Sequence, residues 1–197
     1  MRLLYFIRHG ETDWNAEGRL QGQRDIPLNA HGREQAARNG RALAGHFAEA
    51  GLDPAGFDFV ASPLSRAAMT MRIVRGEMGL DPEAFRFDPR LMEITFGDWE
   101  GVTLGELATV DKAAADARAA DKWNYVPPRG ESYSMLSERI GRWLDTVDRP
   151  MVAVSHGGVN RVLRGLLAGN IPTREVPILD VPQDRILVVR GDDFEWL

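Results

Sequence analysis

The chain has 197 residues, 44% hydrophobic and 27% charged, with a formal net charge of −5 and no cysteine. That length supports one substantial core, and the acidic balance argues against nucleic acid or an anionic membrane surface as partner. Without cysteine there can be no disulfide, thiolate nucleophile, zinc thiolate site or iron–sulfur cluster, which suits a reducing compartment.

The first element is an apolar run, Leu3 to Ile7, which reads as a buried strand. It is too short for a secretory signal and runs straight into Arg8, His9 and Gly10. No apolar run approaches a membrane span, so the expectation is a cytoplasmic protein. A long polar stretch, Asp13 to Leu28, reads as a functional loop. Asn29 then caps a helix whose stripe is Ala36, Gly40, Leu43 and Phe47, closed by Gly51 and Pro54. Phe57 to Ala61 is a second strand. Ser62-Pro63 reads as an N-cap followed by proline at the first helical position, with helix to about Met78 and Arg66 in its first turn.

Phe85 to Phe87 is a short strand candidate, and Leu91 to Gly101 a loop holding Glu93, Trp99 and Glu100. Thr103 is placed to cap a short helix, and the alanine-rich segment Asp111 to Lys122 is helical by propensity. Pro127 to Gly130 punctuates the chain. Glu131 or Ser132 opens an amphipathic helix with Leu136, Ile140, Trp143, Leu144 and Val147 on one face. Met151 to Ser155 is another buried strand, Gly157 to Ala168 another helix, and Arg185 to Arg190 a last clear strand, with Glu195 to Leu197 beside it. This alternation predicts a single α/β domain over 1–197: a three-layer sandwich whose mostly parallel central sheet has helices on both faces. His31 and His46 are expected to be exposed, and Trp14, Trp99 and Trp143 to pack.

Three strands therefore end in reactive or cationic groups: Arg8-His9, Ser62 with Arg66 a turn later, and Ser155-His156. Parallel strands bring such ends to one sheet edge, where ligands bind. Two arginines, two histidines and helix N-termini at Ser62 and Gly157 make an anion pocket suited to phosphate. Cysteine-dependent chemistry is impossible, an Asp-x-Asp motif and a phosphate loop are absent, and clustered metal-ligand spacing is lacking. A histidine nucleophile remains: neutral imidazole can attack phosphorus and form phosphohistidine.

Arg8-His9-Gly10-Glu11-Thr12-x-Trp14-Asn15 resembles the signature of the histidine phosphatase superfamily, also called phosphoglycerate mutase-like. Gly18-Arg19-x-Gln21-Gly22-x-x-Asp25-x-Pro27-Leu28, Ser62-Pro63-Leu64-x-Arg66-Ala67, Glu93-x-x-x-Gly97-x-Trp99-Glu100-Gly101, Gly130-Glu131-Ser132 and Ser155-His156-Gly157-Gly158 resemble its later blocks, in order. Departures are Met69 and Met71 after Arg66-Ala67, and Asn29 in place of the usual threonine cap.

The resemblance implies that His9 is the nucleophile and that Arg8, Arg66 and His156 hold the phosphoryl group. Asn15, Gln21, Gly22 and Gly157 would add phosphate-binding contacts. Glu93 would protonate the leaving oxygen and then activate water, a task for a carboxyl group whose pKa is raised by burial or by the substrate. No metal and no cofactor are implied. The expected reaction is hydrolysis of a small phosphorylated metabolite. Mutase transfer is the nearest alternative, disfavoured because the chain is short after Glu93 where mutases carry an insertion. A binding module without turnover is a weaker alternative, since His9, Glu93 and His156 are all present. Specificity is expected in Asp13 to Asp25 and Ala108 to Pro128. Arg19, Arg24 and Arg129 read equally as solvated or as substrate contacts.

Overall fold

The computed structural model describes residues 3–191 and 193–197. Six strands form one sheet in the order β3-β2-β4-β1-β5-β6. They are β1 (Leu3–Arg8), β2 (Asp58–Ala61), β3 (Arg86–Phe87), β4 (Met151–Ser155), β5 (Ile186–Arg190) and β6 (Asp193–Trp196). β1 to β4 run parallel, whereas β5 is antiparallel to β1 and β6 to β5. The predicted mostly parallel sheet is thus observed, with an antiparallel edge. A helix, residues 157–168, separates β4 from β5, but the irregular chain after it returns to the Arg8 end of β1, where Val181 O accepts from Arg8, so β5 starts opposite Ile7 and runs back antiparallel.

Alternation along the strands builds two cores, which makes the fold three-layered. Tyr5, Ile7, Val152 and Val154 face Leu43 and Phe47 of α2 (Ala30–Glu49) and Met71 and Val74 of α3 (Ser65–Glu77). Their neighbours Leu4, Phe6, Met151 and Ala153 face the other way. They meet Leu136, Ile140 and Trp143 of α6 (Tyr133–Leu144) and Val159, Val162 and Leu163 of α7 (Gly157–Ala168). The central strands are buried on both faces, as their uninterrupted apolar sequence requires.

Several boundaries differ from expectation. The polar stretch after β1 is not all loop: α1 (Asp13–Ala16) starts there, closed by a capping box between Thr12 and Asn15. Ser62 is not a helix cap. Its N–H still donates to Val154 O at 3.0 Å, continuing the β2–β4 pairing, so α3 starts only at Ser65 with Leu64 as N-cap. Val147 lies beyond α6 yet is buried with its face. His46 is half-buried, with Nε2 3.0 Å from the Tyr5 hydroxyl, while His31 is exposed. Trp99 and Trp143 are buried packing residues. Asn29 caps α2 by accepting from Gly32 N, and Thr103 caps α4 (Leu104–Val110) through a capping box. α5 (Lys112–Ala120) follows, and Ser132 caps α6. Met71 is fully buried against the sheet, and Met69 is half-buried.

Candidate functional site

β1 and β4 pair in parallel register with Arg8 opposite Ser155, so the chains leave the sheet side by side. His9 N donates to Ser155 O at 2.9 Å, and the rings of His9 and His156 lie with centroids 5.1 Å apart. In front of this strand edge is a cavity of about 130 Å³. Arg8, His9, Asn15, Gln21, Gly22, Arg66 and Glu93 all line it. Of the residues expected at the site, His156 and Gly157 stand behind this surface rather than in it. His156 is completely buried, and Gly157 opens α7 against Arg8. Gly158 takes the place expected of Gly157 in the lining.

The ring of His9 is fixed by Nδ1, which donates to Gly10 O at 2.7 Å and leaves the lone pair on Nε2. Gly10 can supply this carbonyl because it has no side chain. A Cβ there would lie 2.0 Å from Gly32 O in the first turn of α2. Burial, then Arg66 and Arg8, hold the His9 pKa well below the ordinary histidine value. His156 is held down in the same direction by burial, then Arg66, His9 and Arg8. Its Nε2 is 2.7 Å from Ser62 Oγ, and its Nδ1 has no partner.

Both arginines are gripped by backbone carbonyls. Arg66, completely buried, donates from Nη1 to Arg24 O (2.7 Å) and from Nη2 to Gly22 O (2.8 Å). Arg8 Nη1 donates to Val181 O at 2.6 Å. The Nε of each is buried without a partner. Burial, then the nearby Arg161 cation, lowers the Arg8 pKa to about 10, so it stays charged at neutral pH. An arginine fixed by neutral acceptors keeps its full charge available to a ligand.

Glu93 lines the same cavity as His9. Its carboxylate accepts from Gly158 N on both oxygens (3.1 Å) and from Ile94 N (2.9 Å). Gly158 is required here, since a Cβ would lie 2.4 Å from Glu93 Oε1. The segment before Glu93 is held by Arg139, which donates to Arg90 O, Met92 O and Glu93 O while forming a two-pronged ion pair with Glu131. The Gly130-Glu131-Ser132 block therefore supports the acid's loop instead of entering the cavity.

Asn15 Oδ1 is occupied by Thr12 N and Thr12 Oγ1, leaving its amide NH2 as the end available to the cavity. Gln21 Oε1 is buried and unpaired. Arg19 reaches the lining, whereas Arg24 and Arg129 are exposed. Sequence reasoning missed Leu20, Ile94, Phe96, Tyr133 and Arg161 in the lining. Arg161 lies one helical turn beyond Gly157, a spacing that would have found it. A larger open groove of about 570 Å³, lined by Asp53, Phe57, Arg75 and Phe85 among others, sits at the opposite end of β2 and contains none of these groups. Among the described residues, no group of three or more His, Asp or Glu side chains is arranged to hold a metal ion. No helix of the described residues is long and apolar enough to cross a membrane.

The two buried neutral histidines make stability pH-dependent. In the unfolded chain both titrate near 6.5, so below that pH the unfolded state binds more protons than the native state. Stability is complete above about pH 6.5 and falls as pH drops. The slope approaches about 1.4 kcal/mol per pH unit for each histidine, or about 2.7 for both. Thermal melts from pH 7.5 to 5 should show this decline, lessened by inorganic phosphate. A flat profile would refute the assignment of neutral, buried rings.

An α/β sheet with arginine and histidine ends converging on a small cavity, a carboxylate opposite, is the architecture of an oxyanion-binding enzyme fold. The sequence model of the histidine phosphatase superfamily (branch 1) matches residues 4–197, and the chain belongs to that superfamily. It is 34% identical over 193 residues to a glucosyl-3-phosphoglycerate phosphatase of Mycolicibacterium vanbaalenii, covering 91% of this chain and 79% of the relative. A Shigella dysenteriae protein named "Probable phosphoglycerate mutase GpmB" is 33% identical over 163 residues, covering 80% and 70%. Among solved structures, the alpha-ribazole phosphatase of Shigella flexneri superposes with a TM-score of 0.79 at 30% identity, covering 98% of this chain and 93% of that one.

Proposed function

We propose that the protein is a phosphomonoesterase that hydrolyses a small phosphorylated metabolite through a phosphohistidine on His9. The observation that carries this reading is the fixed His9 ring, with Nδ1 bonded to Gly10 O and Nε2 unprotonated beside two arginines held by backbone carbonyls. Superfamily membership and phosphatase-named relatives support it.

In the first step the Nε2 lone pair attacks phosphorus and the bond to the leaving oxygen breaks. The proton of the Glu93 carboxyl group moves to that oxygen. In the second step the Glu93 carboxylate takes a proton from water, the water oxygen attacks phosphorus and the P–N bond breaks. Inorganic phosphate leaves and Glu93 is protonated again. Arg8 and Arg66 neutralise charge growing on the phosphoryl oxygens. With Ser62 donating to His156 Nε2, the ring proton sits on Nδ1, whose one remaining bond can go to a phosphoryl oxygen. The Asn15 amide and Gln21 add polar contacts, Gly22 orients Arg66 through its carbonyl, and Gly157 brings the N-terminus of α7 behind Arg8.

We read residues 1–197 as one domain, the reaction as metal-independent and the setting as cytoplasmic, the last in keeping with a chain free of cysteine. The test is phosphate release from a panel of phosphorylated metabolites and an aryl phosphate, in the presence of EDTA. Release that survives EDTA is expected. Isomerisation without release, dependent on a bisphosphate primer, would instead establish mutase transfer, the reaction named for the Shigella dysenteriae relative.

A further inference from the structure

The segment from Pro177 to Val181 presents alternate carbonyls to three different cations. Pro177 O accepts from Lys122 Nζ at 2.9 Å, Leu179 O from Arg161 Nε at 2.8 Å, and Val181 O from Arg8 Nη1 at 2.6 Å. The cations thus stand in a row that begins with Arg8 in the phosphoryl pocket and leads outward across Arg161 to Lys122. Arg118 of α5 closes the row from above. Its guanidinium lies 5.6 Å from the ring centre of Phe96, which itself lines the cavity.

Carboxylates stand near the two pocket arginines, Glu93 and Asp180 by Arg8 and Glu93, Asp25 and Glu100 by Arg66, but do not pair with them. Among the described residues, none of Arg8, Arg66, Arg118, Lys122 and Arg161 forms a salt bridge, although fourteen other pairs do. Burial and the Arg118 and Arg161 cations pull Lys122 down to about 8, the mark of crowded like charge. Burial likewise lowers Arg118, with only the phenols of Tyr133 and Tyr125 opposing the shift. Crowding cations at this cost is unfavourable unless an anion is to be bound there. A phosphoryl dianion already has Arg8, Arg66 and His156. Arg118, Lys122 and Arg161 exceed what it needs.

We propose that the substrate carries a second anionic group, a carboxylate or a further phosphate, which seats on Arg161, Lys122 and Arg118 beside the phosphoryl pocket. This deepens the phosphomonoesterase reading and rests on it. Leu179 leaves the 3₁₀ turn, Val176–Ile178, in extended conformation, and alternate residues of extended chain are about 6 Å apart, so the carbonyls holding Arg161 and Arg8 are spaced to set the second anion a short carbon chain from the first. The segment carrying Arg118 and Lys122 is also the stretch where the sequence placed specificity.

The test uses phosphonates, which bind without being hydrolysed. Isothermal titration should show 4-phosphonobutyrate binding about tenfold or more tightly than butylphosphonate, which lacks the carboxylate. Butane-1,4-bisphosphonate, run beside them, identifies which second anion is preferred. Lys122→Met and Arg161→Met should each reduce the advantage of the second anion, and together bring it below about threefold. Arg118→Met provides an independent reading should the double variant fail to fold. Equal binding of butylphosphonate and both dianionic compounds would overturn the second subsite alone. So would an advantage that survives all three single substitutions. No binding of any phosphonate would overturn the phosphoryl pocket with it.

Discussion

Replacing His9 by alanine lowers phosphate release by about 10⁴-fold or more, with little loss of fold. The effect is large because imidazole supplies both the attacking lone pair and the covalent intermediate, and no other nucleophile stands in its place. The side chain's hydrogen bond is to the carbonyl of the next residue, so its removal frees one acceptor rather than disrupting a network. Rapid acid-sensitive labelling of the intact protein by a phosphorylated substrate, absent in His9→Ala, would show that the loss is of phosphohistidine. If His9→Ala kept a tenth of normal turnover, direct attack by water would be the better mechanism. Glu93→Gln makes a useful companion: it should still label where the leaving group is an acidic phenol, since such an oxygen needs no proton, and then release phosphate slowly.

Arg139→Met should unfold the protein about 6–12 °C earlier than the natural sequence. The Arg139–Glu131 pair is mostly buried, with side-chain exposures of 18% and 13%, and methionine leaves Glu131 without its cation. Breaking such a pair from one side costs about 3 kcal/mol or more, and in a domain of this size each kcal/mol shifts the midpoint by about 2–4 °C. The same substitution removes the donor to the Arg90, Met92 and Glu93 carbonyls, so Glu93 loses its fixed approach. A displacement near 1 Å at a reacting group costs about 10²-fold, so kcat should fall more than KM changes. Differential scanning calorimetry and steady-state kinetics on one preparation would separate the two effects. An unchanged melting point would mean that the ion pair contributes nothing net. The doubly neutral Glu131→Gln/Arg139→Met variant should recover part of the stability, because neither charge is then stranded.

The strand ends were legible because two independent signals agreed there. Uninterrupted apolar runs located β1 and β4, and each run stopped at a histidine followed by glycine. Parallel pairing then brought Arg8 opposite Ser155. α7 was legible to the residue, since glycines open it and Gly169 in left-handed conformation closes it. α1 was not, because four residues carry no periodicity and its stabilising pair, Thr12 with Asn15, looks the same in a loop turn. Ser62-Pro63 misled for a related reason. The dipeptide is a fair helix start, but the β2–β4 ladder extends through Ser62 and delays the helix to Ser65. The antiparallel edge was not legible: α7 separates β4 from β5 as in a parallel crossover, and only the return of the irregular chain after it to the Arg8 end of β1 reverses β5. The supporting groups were out of reach: that Arg139 grips the Glu93 loop, and that Lys122, Arg161 and Arg8 share one backbone segment, depends on contacts between 18 and 173 residues apart.

Because peptide carbonyls rather than side chains hold Lys122, Arg161 and Arg8, these contacts constrain the stretch from Pro177 to Val181 in length, while packing constrains composition only at the buried Pro177 and Val181. Point changes at the exposed Ile178 and Asp180 leave every acceptor where it was. Insertion or deletion of a single residue moves the carbonyls out of phase with all three cations at once. Drift in this part of the chain should therefore proceed by substitution at constant length, and a library of active variants would be free at the exposed letters but fixed in spacing.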